Sequence, residues 1–259
     1  FSHFIKAGSF PVSQFIEPLF NSYSNEMVML LSEMFWWLHI VGILIFMNYL
    51  YFSKHLHILL AFSNTYFADL HPKGQFDNLA SVTNEVKLMM DPNTDPFAAP
   101  PITENAAPSK FGASDIQDLN WVQLLNAYTC TECGRCTSAC PANITGKKLS
   151  PRKIMMDTRD RIEEVGRNMD TNKGVFIPDN KSLLNDYITP EELWACTSCN
   201  ACVEECPVNI SPLSIIMDMR RYLVMEQSAA PMSLNAMMAN IENNGAPWQY
   251  SQQDRLNWK

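Results

Sequence analysis

Four hydropathy patterns follow one another along the chain. From 1 to 26 the apolar positions have no regular period: Phe1, Phe4, Ile5, Phe10, Phe15, Ile16 and Phe20 are scattered among polar residues. No run there is long enough to span a bilayer, so the segment reads as an interfacial one at a membrane surface. A loop packed on a partner subunit is the alternative. Residues 27–52, MVMLLSEMFWWLHIVGILIFMNYLYF, are almost unbroken apolar sequence. About 20 such residues suffice to cross a membrane as a helix, and a soluble helix apolar on every side is unusual. A transmembrane helix is predicted here. Its domain is drawn over 27–70, with ILLAFSNTYFADL continuing the helix or leaving it along the interface. Trp36, Trp37, Tyr49 and Tyr51 are of the type that anchors such helices at the interface.

From 71 to 114 the composition shifts to Pro, Asn, Asp, Ala and Gly. The stretch DPNTDPFAAPPITENAAPSK predicts an extended linker laid over a surface. From 115 to 259 helical periodicity returns in short pieces. Leu119, Val122, Leu124 and Leu125 predict a helix over 115–128. Ser150-Pro151 caps one over about 150–167, with Ile154, Met155 and Ile162 on its apolar face. Thr189-Pro190-Glu191-Glu192 starts a helix carrying Leu193 and Trp194, and Ser211-Pro212 caps one running to about Val224. The fold class is mainly α: a transmembrane helix, then an all-helical domain.

The chemistry lies in the cysteines. Cys130-x2-Cys133-x2-Cys136-x3-Cys140-Pro141 is repeated as Cys196-x2-Cys199-x2-Cys202-x3-Cys206-Pro207, and the two runs use all eight cysteines of the chain. This is the thiolate run of bacterial-type ferredoxins, where three close cysteines hold one 4Fe-4S cluster and the fourth holds the other. Carried over, one cluster takes Cys130, Cys133, Cys136 and Cys206. The other takes Cys196, Cys199, Cys202 and Cys140. Structural zinc or disulfides are the alternatives, but a third cysteine so close to the second leaves little room for separated zinc-binding pairs. Around each run one unit recurs: cysteine run, Cys-Pro, Ser-Pro, then a helix with Met-Asp-x-Arg (Met156 to Arg159, Met217 to Arg220). The repeat argues for a pseudo-twofold helical ferredoxin module rather than one built on strands.

Charge and composition narrow this further. Net charge is -8, which argues against a nucleic-acid partner. Eight cysteines in two metal-type runs do not suit a secreted disulfide scaffold. Acids gather towards the start of the apolar span (Glu17, Glu26, Glu33) and cations follow it (Lys54, Lys73). The positive-inside bias therefore puts the cysteines on the cytoplasmic side. A start at Phe1 is expected of a processed or partial product. No phosphate-cradling glycine loop and no nucleophile arrangement is found, so no catalytic residue is assigned. Glu204-Glu205 read as a solvated face, and Arg135 and Lys147 as candidates for positive charge near a cluster. Met155, Met156, Met217, Met219, Met232, Met237 and Met238 read as core filler, with a partner surface at 232–238 as the alternative.

Two histidines in the apolar region also draw notice. His39 and His57 are 18 residues apart, about five turns, which on a continuous helix puts them on one face roughly 27 Å apart. Ionisable residues inside a membrane are functional candidates, and imidazole is a common haem ligand. His55 lies off that face. The stretch Leu38-His39-Ile40-Val41-Gly42 through Phe52-Ser53-Lys54-His55-Leu56-His57-Ile58 resembles the last haem-bearing helix of the nitrate reductase gamma cytochrome b family. That resemblance implies one or two haem b groups ligated by His39 and His57. Further transmembrane helices, or another cytochrome b part, would supply the remaining ligands.

The cluster region, CTECGRCTSACPANITGKKLSP and LWACTSCNACVEECPVNISP, resembles the C-type subunits of heterodisulfide reductase and related membrane oxidoreductases that link electron-transfer flavoprotein to quinone. The resemblance implies an electron-transfer subunit without its own substrate site, in a bacterial inner membrane with the clusters facing the cytoplasm. Its implied partners are a CCG-domain or flavoprotein redox subunit and membrane quinone. Two alternatives are an iron–sulfur subunit of a heterodisulfide reductase- or glycolate/lactate oxidase-like complex, whose helix is only an anchor without haem, and an assembly protein whose clusters serve folding.

Overall fold

The computed structural model describes residue 12 and residues 15–72, 74–91 and 110–257. The remainder of the expected interfacial segment, Lys73 and most of the Pro-rich stretch lie outside the described residues. The chain is mainly α, with no strand among the described residues. It divides into two compact units, Phe1–Leu56 and His57–Lys259, each considered by itself below.

The first unit is a short 3-10 turn, Glu17–Phe20, followed by α1, Asn25–Tyr51. Ser24 caps α1 by accepting from the Met27 N–H at 3.4 Å. Helix α1 is long and apolar enough to cross a membrane, and none of its residues is buried. Trp36 and Trp37 stack edge to face at 4.8 Å. The helix does not run on to residue 70. It stops at Tyr51, and Ser53 turns the chain by donating to the Leu50 carbonyl at 3.1 Å and accepting from the His55 N–H. A 3-10 turn, Lys54–Leu56, follows, and α2, His57–Tyr66, begins the second unit. The five-turn count from His39 to His57 therefore does not apply, because the helix is interrupted between them.

Helix α2 belongs to the helical domain, not to the apolar span. It packs on α4, Trp121–Thr129, where Phe67 and Trp121 meet edge to face at 4.7 Å. Asn64, only 1% exposed, donates from Nδ2 to the Val208 carbonyl at 2.7 Å. The linker also differs from the extended chain expected, since an eleven-residue helix, α3, Ala80–Met90, lies within it. Val86, Lys87, Leu88 and two methionines follow one another there without Gly or Pro to oppose helix formation.

Residues 110–114, assigned to the linker from sequence, also pack on the helical domain. Phe111 donates its N–H to Glu226, and Ala113 donates to the Asp218 carbonyl at 3.0 Å. Gly112 passes so close to that helix, α10, Pro212–Met225, that a Cβ would sit 2.3 Å from the Asp218 carbonyl oxygen, at a φ of +80°. Gly112→Ala is expected to cost at least about 2 kcal/mol, from the left-handed backbone and the clash together. Unchanged thermal melting of the variant would show that 110–114 does not pack on α10.

The remaining helices are α5 (Arg135–Ser138), α6 (Pro141–Ile144), α7 (Pro151–Thr171), α8 (Pro190–Ala195), α9 (Ala201–Glu204) and α11 (Met232–Asn244). The caps read from sequence are in place. Ser150 accepts from the Lys153 N–H, Thr189 and Glu192 form a reciprocal capping box, and Ser211 accepts from the Ser214 N–H. Leu149, Ile154, Met155, Leu193, Ile215, Ile216 and Met219 are fully buried in one core. The reading of methionines as filler holds for Met155 and Met219. It fails for Met232, which is 87% exposed, and for Met238. Helix α11 buries none of its residues, so those side chains meet no core.

Candidate metal centre

Each cysteine run lies between two capped helices, with a short helix inside it. Helix α4 leads into the first run and α8 into the second; α5 and α9 carry the third cysteines, and α7 and α10 follow. The backbones match in detail. Glu132 and Gly134 have positive φ in the first run, as do Ser198 and Asn200 at the same positions of the second. These left-handed residues curl the loop so that an N–H turns back to the first sulfur. The Glu132 N–H donates to Cys130, and the Ser198 N–H donates to Cys196 Sγ at 3.4 Å. Gly134 and Asn200, residue types that tolerate this conformation, then cap α5 and α9.

The structure brings the fourth cysteine of each run to the other run. Cys130, Cys133, Cys136 and Cys206 line one cavity, with Cys202 also in its wall. Thr131, Gly134, Arg135, Arg152, Met155 and Val208 contribute to the same lining. Burial and the neighbouring sulfurs, Cys206 among them, push the Cys130 and Cys136 thiols up. Cys140 acts in the same way on Cys196 and Cys202, and burial together with surrounding sulfur pushes Cys202 up to about 12. Thiols crowded in this way give up their protons most readily to a cationic metal centre, because neighbouring bare thiolates would otherwise repel one another. All eight cysteines are free thiols, so the disulfide alternative does not describe this fold. The middle cysteines, Cys133 and Cys199, are exposed, whereas Cys140 and Cys202 are buried.

The Met-Asp-x-Arg repeat now acquires roles that spacing alone did not show. Arg159 bonds Glu132 at 2.6 Å, and Arg220 reaches the Cys196 carbonyl at 2.5 Å and Ser198 Oγ at 3.3 Å. Each arginine thus braces the loop of its own run. The aspartates work across the repeats: Asp218 accepts from Gln123 on α4 at 2.7 Å, while Asp157 shares Lys153 with Glu192 on α8. Of the two cations singled out in the sequence, Arg135 lines the cavity and Lys147 does not. Arg152, missed there, lines it too. Its position straight after the Ser-Pro cap, one turn from the core residue Met155, was the signal available.

The donor set suits iron–sulfur clusters: four soft thiolates per site, peptide N–H groups aimed at sulfur, and apolar walls. His39 lies elsewhere, in an open groove on α1 with Phe35, Leu38, Gly42, Ile43 and Phe46. His57 starts α2 in the second unit.

Residues 129–210 match the family described as 4Fe-4S dicluster domain. The chain is 31% identical over 253 residues to a probable iron-sulfur-binding oxidoreductase, FadF, of Bacillus subtilis, covering 86% of this chain and 33% of that protein. It is 29% identical over 266 residues to an EtfAB:quinone oxidoreductase of Syntrophomonas wolfei, covering 96% and 34%. It is 32% identical over 167 residues to a probable membrane-anchored ferredoxin of Chromohalobacter salexigens, covering 59% and 24%. Shorter stretches are similar to heterodisulfide reductase C-type subunits. The chain spans about a third of the length of the first two of these relatives. All eight cysteines fall within the residues matched by the dicluster family, on a chain that also has a helix of membrane-spanning length.

Proposed function

We propose that the protein is a membrane-anchored electron-transfer subunit, relaying single electrons between a soluble redox partner and acceptors or donors in the membrane. The observation that carries this is the pairing of two interlocked four-cysteine groups with a helix, α1, that is apolar and unburied along its whole length. Cys130, Cys133, Cys136 and Cys206 would hold one cluster, and Cys196, Cys199, Cys202 and Cys140 the other. Bound there, the clusters would supply one-electron chemistry with no proton or group transfer. The protein's own residues do the rest. The Glu132 and Ser198 N–H groups stabilise charge on sulfur. Arg159 and Arg220 hold the loops rigid, and exposed Cys133 and Cys199 bring each site to the surface, where a partner can approach.

The soluble partner in this reading is a flavoprotein or CCG-domain subunit, and the membrane partner is quinone. The likeness to an EtfAB:quinone oxidoreductase supports both. Lys54, just after α1, supports a cytoplasmic position for the clusters. A haem b beside α1 is the finer part of the proposal. His39, in an apolar groove next to Gly42, which leaves one side of the helix flat, is its ligand on this helix. The break at 52–56 favours a second reading, in which α1 is an anchor alone and His57 serves the helical domain.

Membranes containing the protein with its partner subunits should show cluster reduction by a quinol analogue. A sharp b-type band should appear in the reduced-minus-oxidised spectrum. Reduction without that band selects the anchor reading. No cluster reduction from either the quinol or a reduced flavoprotein would overturn the relay.

A further inference from the structure

The two halves of the domain match so closely that their mismatches stand out. Superposing the runs by sequence sets Arg135 against Ala201 and Arg152 against Leu213. Both arginines line the cavity of Cys130, Cys133, Cys136 and Cys206, and neither has a carboxylate partner among the described residues. Arg152 lies against the loop itself, its Nη1 3.7 Å from where a Cβ on Gly134 would be. The charges common to both halves do not produce this difference. Arg159, beside the first site, is matched by Glu132 at 2.6 Å. Arg220, beside the second, is directed to the Leu193 and Cys196 carbonyls. Glu204 and Glu205 are exposed and lie between Cys202 of the second site and Cys206 of the first. With those two glutamates common to both sites set aside, Arg135, Arg152 and Arg159 against Glu132 leave the first site two positive charges, and the matching positions of the second, Ala201, Leu213, Arg220 and Ser198, leave one.

Resting on the reading that both cysteine groups hold clusters, we propose that Arg135 and Arg152 make the Cys130–Cys133–Cys136–Cys206 site the higher-potential member of the pair. An electron adds negative charge at its site, and nearby fixed cations stabilise that charge more than they stabilise the oxidised form. One electron leaving the Cys196 site for the Cys130 site balances with no proton and no bond change. The electron then rests where Val208, in the cavity wall, is bonded by Asn64 of α2, the helix that follows the apolar span in sequence. The site with the arginines is thus the one whose wall α2 reaches. Arg135 and Arg152 are positioning residues for charge and are not ligands. Both are solvent-exposed, so their effect is partly screened and falls with salt.

The test uses the full chain with both clusters loaded, verified by iron and acid-labile sulfide content. Midpoints are followed by electron paramagnetic resonance during a redox titration. The two signals are assigned by their loss in Cys133→Ser and Cys199→Ser. The double variant Arg135→Ala/Arg152→Leu, which installs the residues of the second half, should lower the reduced-to-oxidised ratio of the first cluster at fixed potential by about tenfold, or ~59 mV for one electron. The second cluster should not move, and the shift should shrink in high salt. Ala201→Arg should raise the second cluster in the reciprocal direction. Two clusters with the second at higher potential in the parent, or a first cluster unmoved by the double variant, overturns the proposal alone. A chain that takes up no iron overturns the cluster reading beneath it as well.

Discussion

Cys206→Ser is expected to abolish the same cluster as Cys130→Ser, although the two residues belong to different runs. About half the iron should be lost, because each cluster draws on four thiolates, three from one run and one from the other. The geometric reason is the cavity, where Cys206 stands with Cys130, Cys133 and Cys136 and not with its sequence neighbours Cys196 and Cys199. The spectrum remaining in Cys206→Ser should therefore coincide with that remaining in Cys130→Ser. It should differ from that of Cys196→Ser, which matches Cys140→Ser. Stability should fall as well, since a metal centre tying two segments together contributes its binding energy to folding. Grouping of Cys206→Ser with Cys196→Ser would show that each run holds its own cluster, and the interlocked arrangement would be wrong.

Arg161→Met should be the most damaging substitution away from the cysteines. The Arg161 side chain is completely buried. It makes a two-pronged pair with Asp115 at 3.0 and 2.7 Å, another with Asp179 at 2.5 and 3.0 Å, and donates to the Lys181 carbonyl at 2.7 Å. These bonds tie α7 to the segment entering α4 and to the loop that separates the two cysteine runs. Removing one partner of a buried ion pair costs about 3–5 kcal/mol, because the charges left behind lose their match. At roughly 2–4 °C per kcal/mol for a domain of this size, the loss of helical signal should move down by on the order of 10 °C at fixed scan rate. Arg161→Lys should rescue little, as an ammonium cannot make the planar forks. The pairing also carries a pH dependence. Arg161 holds Asp179 at about 2, below its ordinary 3.8. A depressed acid stabilises the fold fully above about pH 4, and the contribution fades as pH falls through about 2. A melting point within a degree of the parent in Arg161→Met would show that the buried network is energetically idle.

The residues that bound the domain were legible without coordinates because their physics is local. Ser150, Thr189 and Ser211 announce helix starts by a side-chain oxygen that satisfies an N–H within three residues. The cysteine runs announce iron by spacing within eleven residues, and the apolar span announces itself by length. Three things were not local. The end of α1 at Tyr51 depends on a Ser53 turn that no hydropathy pattern marks, and with it went the shared face of His39 and His57. The assignment of α2 to the helical domain depends on Asn64 meeting Val208, 144 residues away. The roles of Arg152, Arg159, Arg161 and Arg220 depend on which loop each guanidinium reaches. Sequence alone determined that this chain has eight metal-type thiols in two equal runs, a mainly helical fold and a membrane-length helix, because each follows from composition or from neighbours a few residues apart. Only tertiary structure decided which thiols stand together and where the cations lie around them, because those contacts join residues well separated along the chain, from Arg220 and Cys196, 24 apart, to Cys130 and Cys206, 76 apart, and no local pattern records the partner.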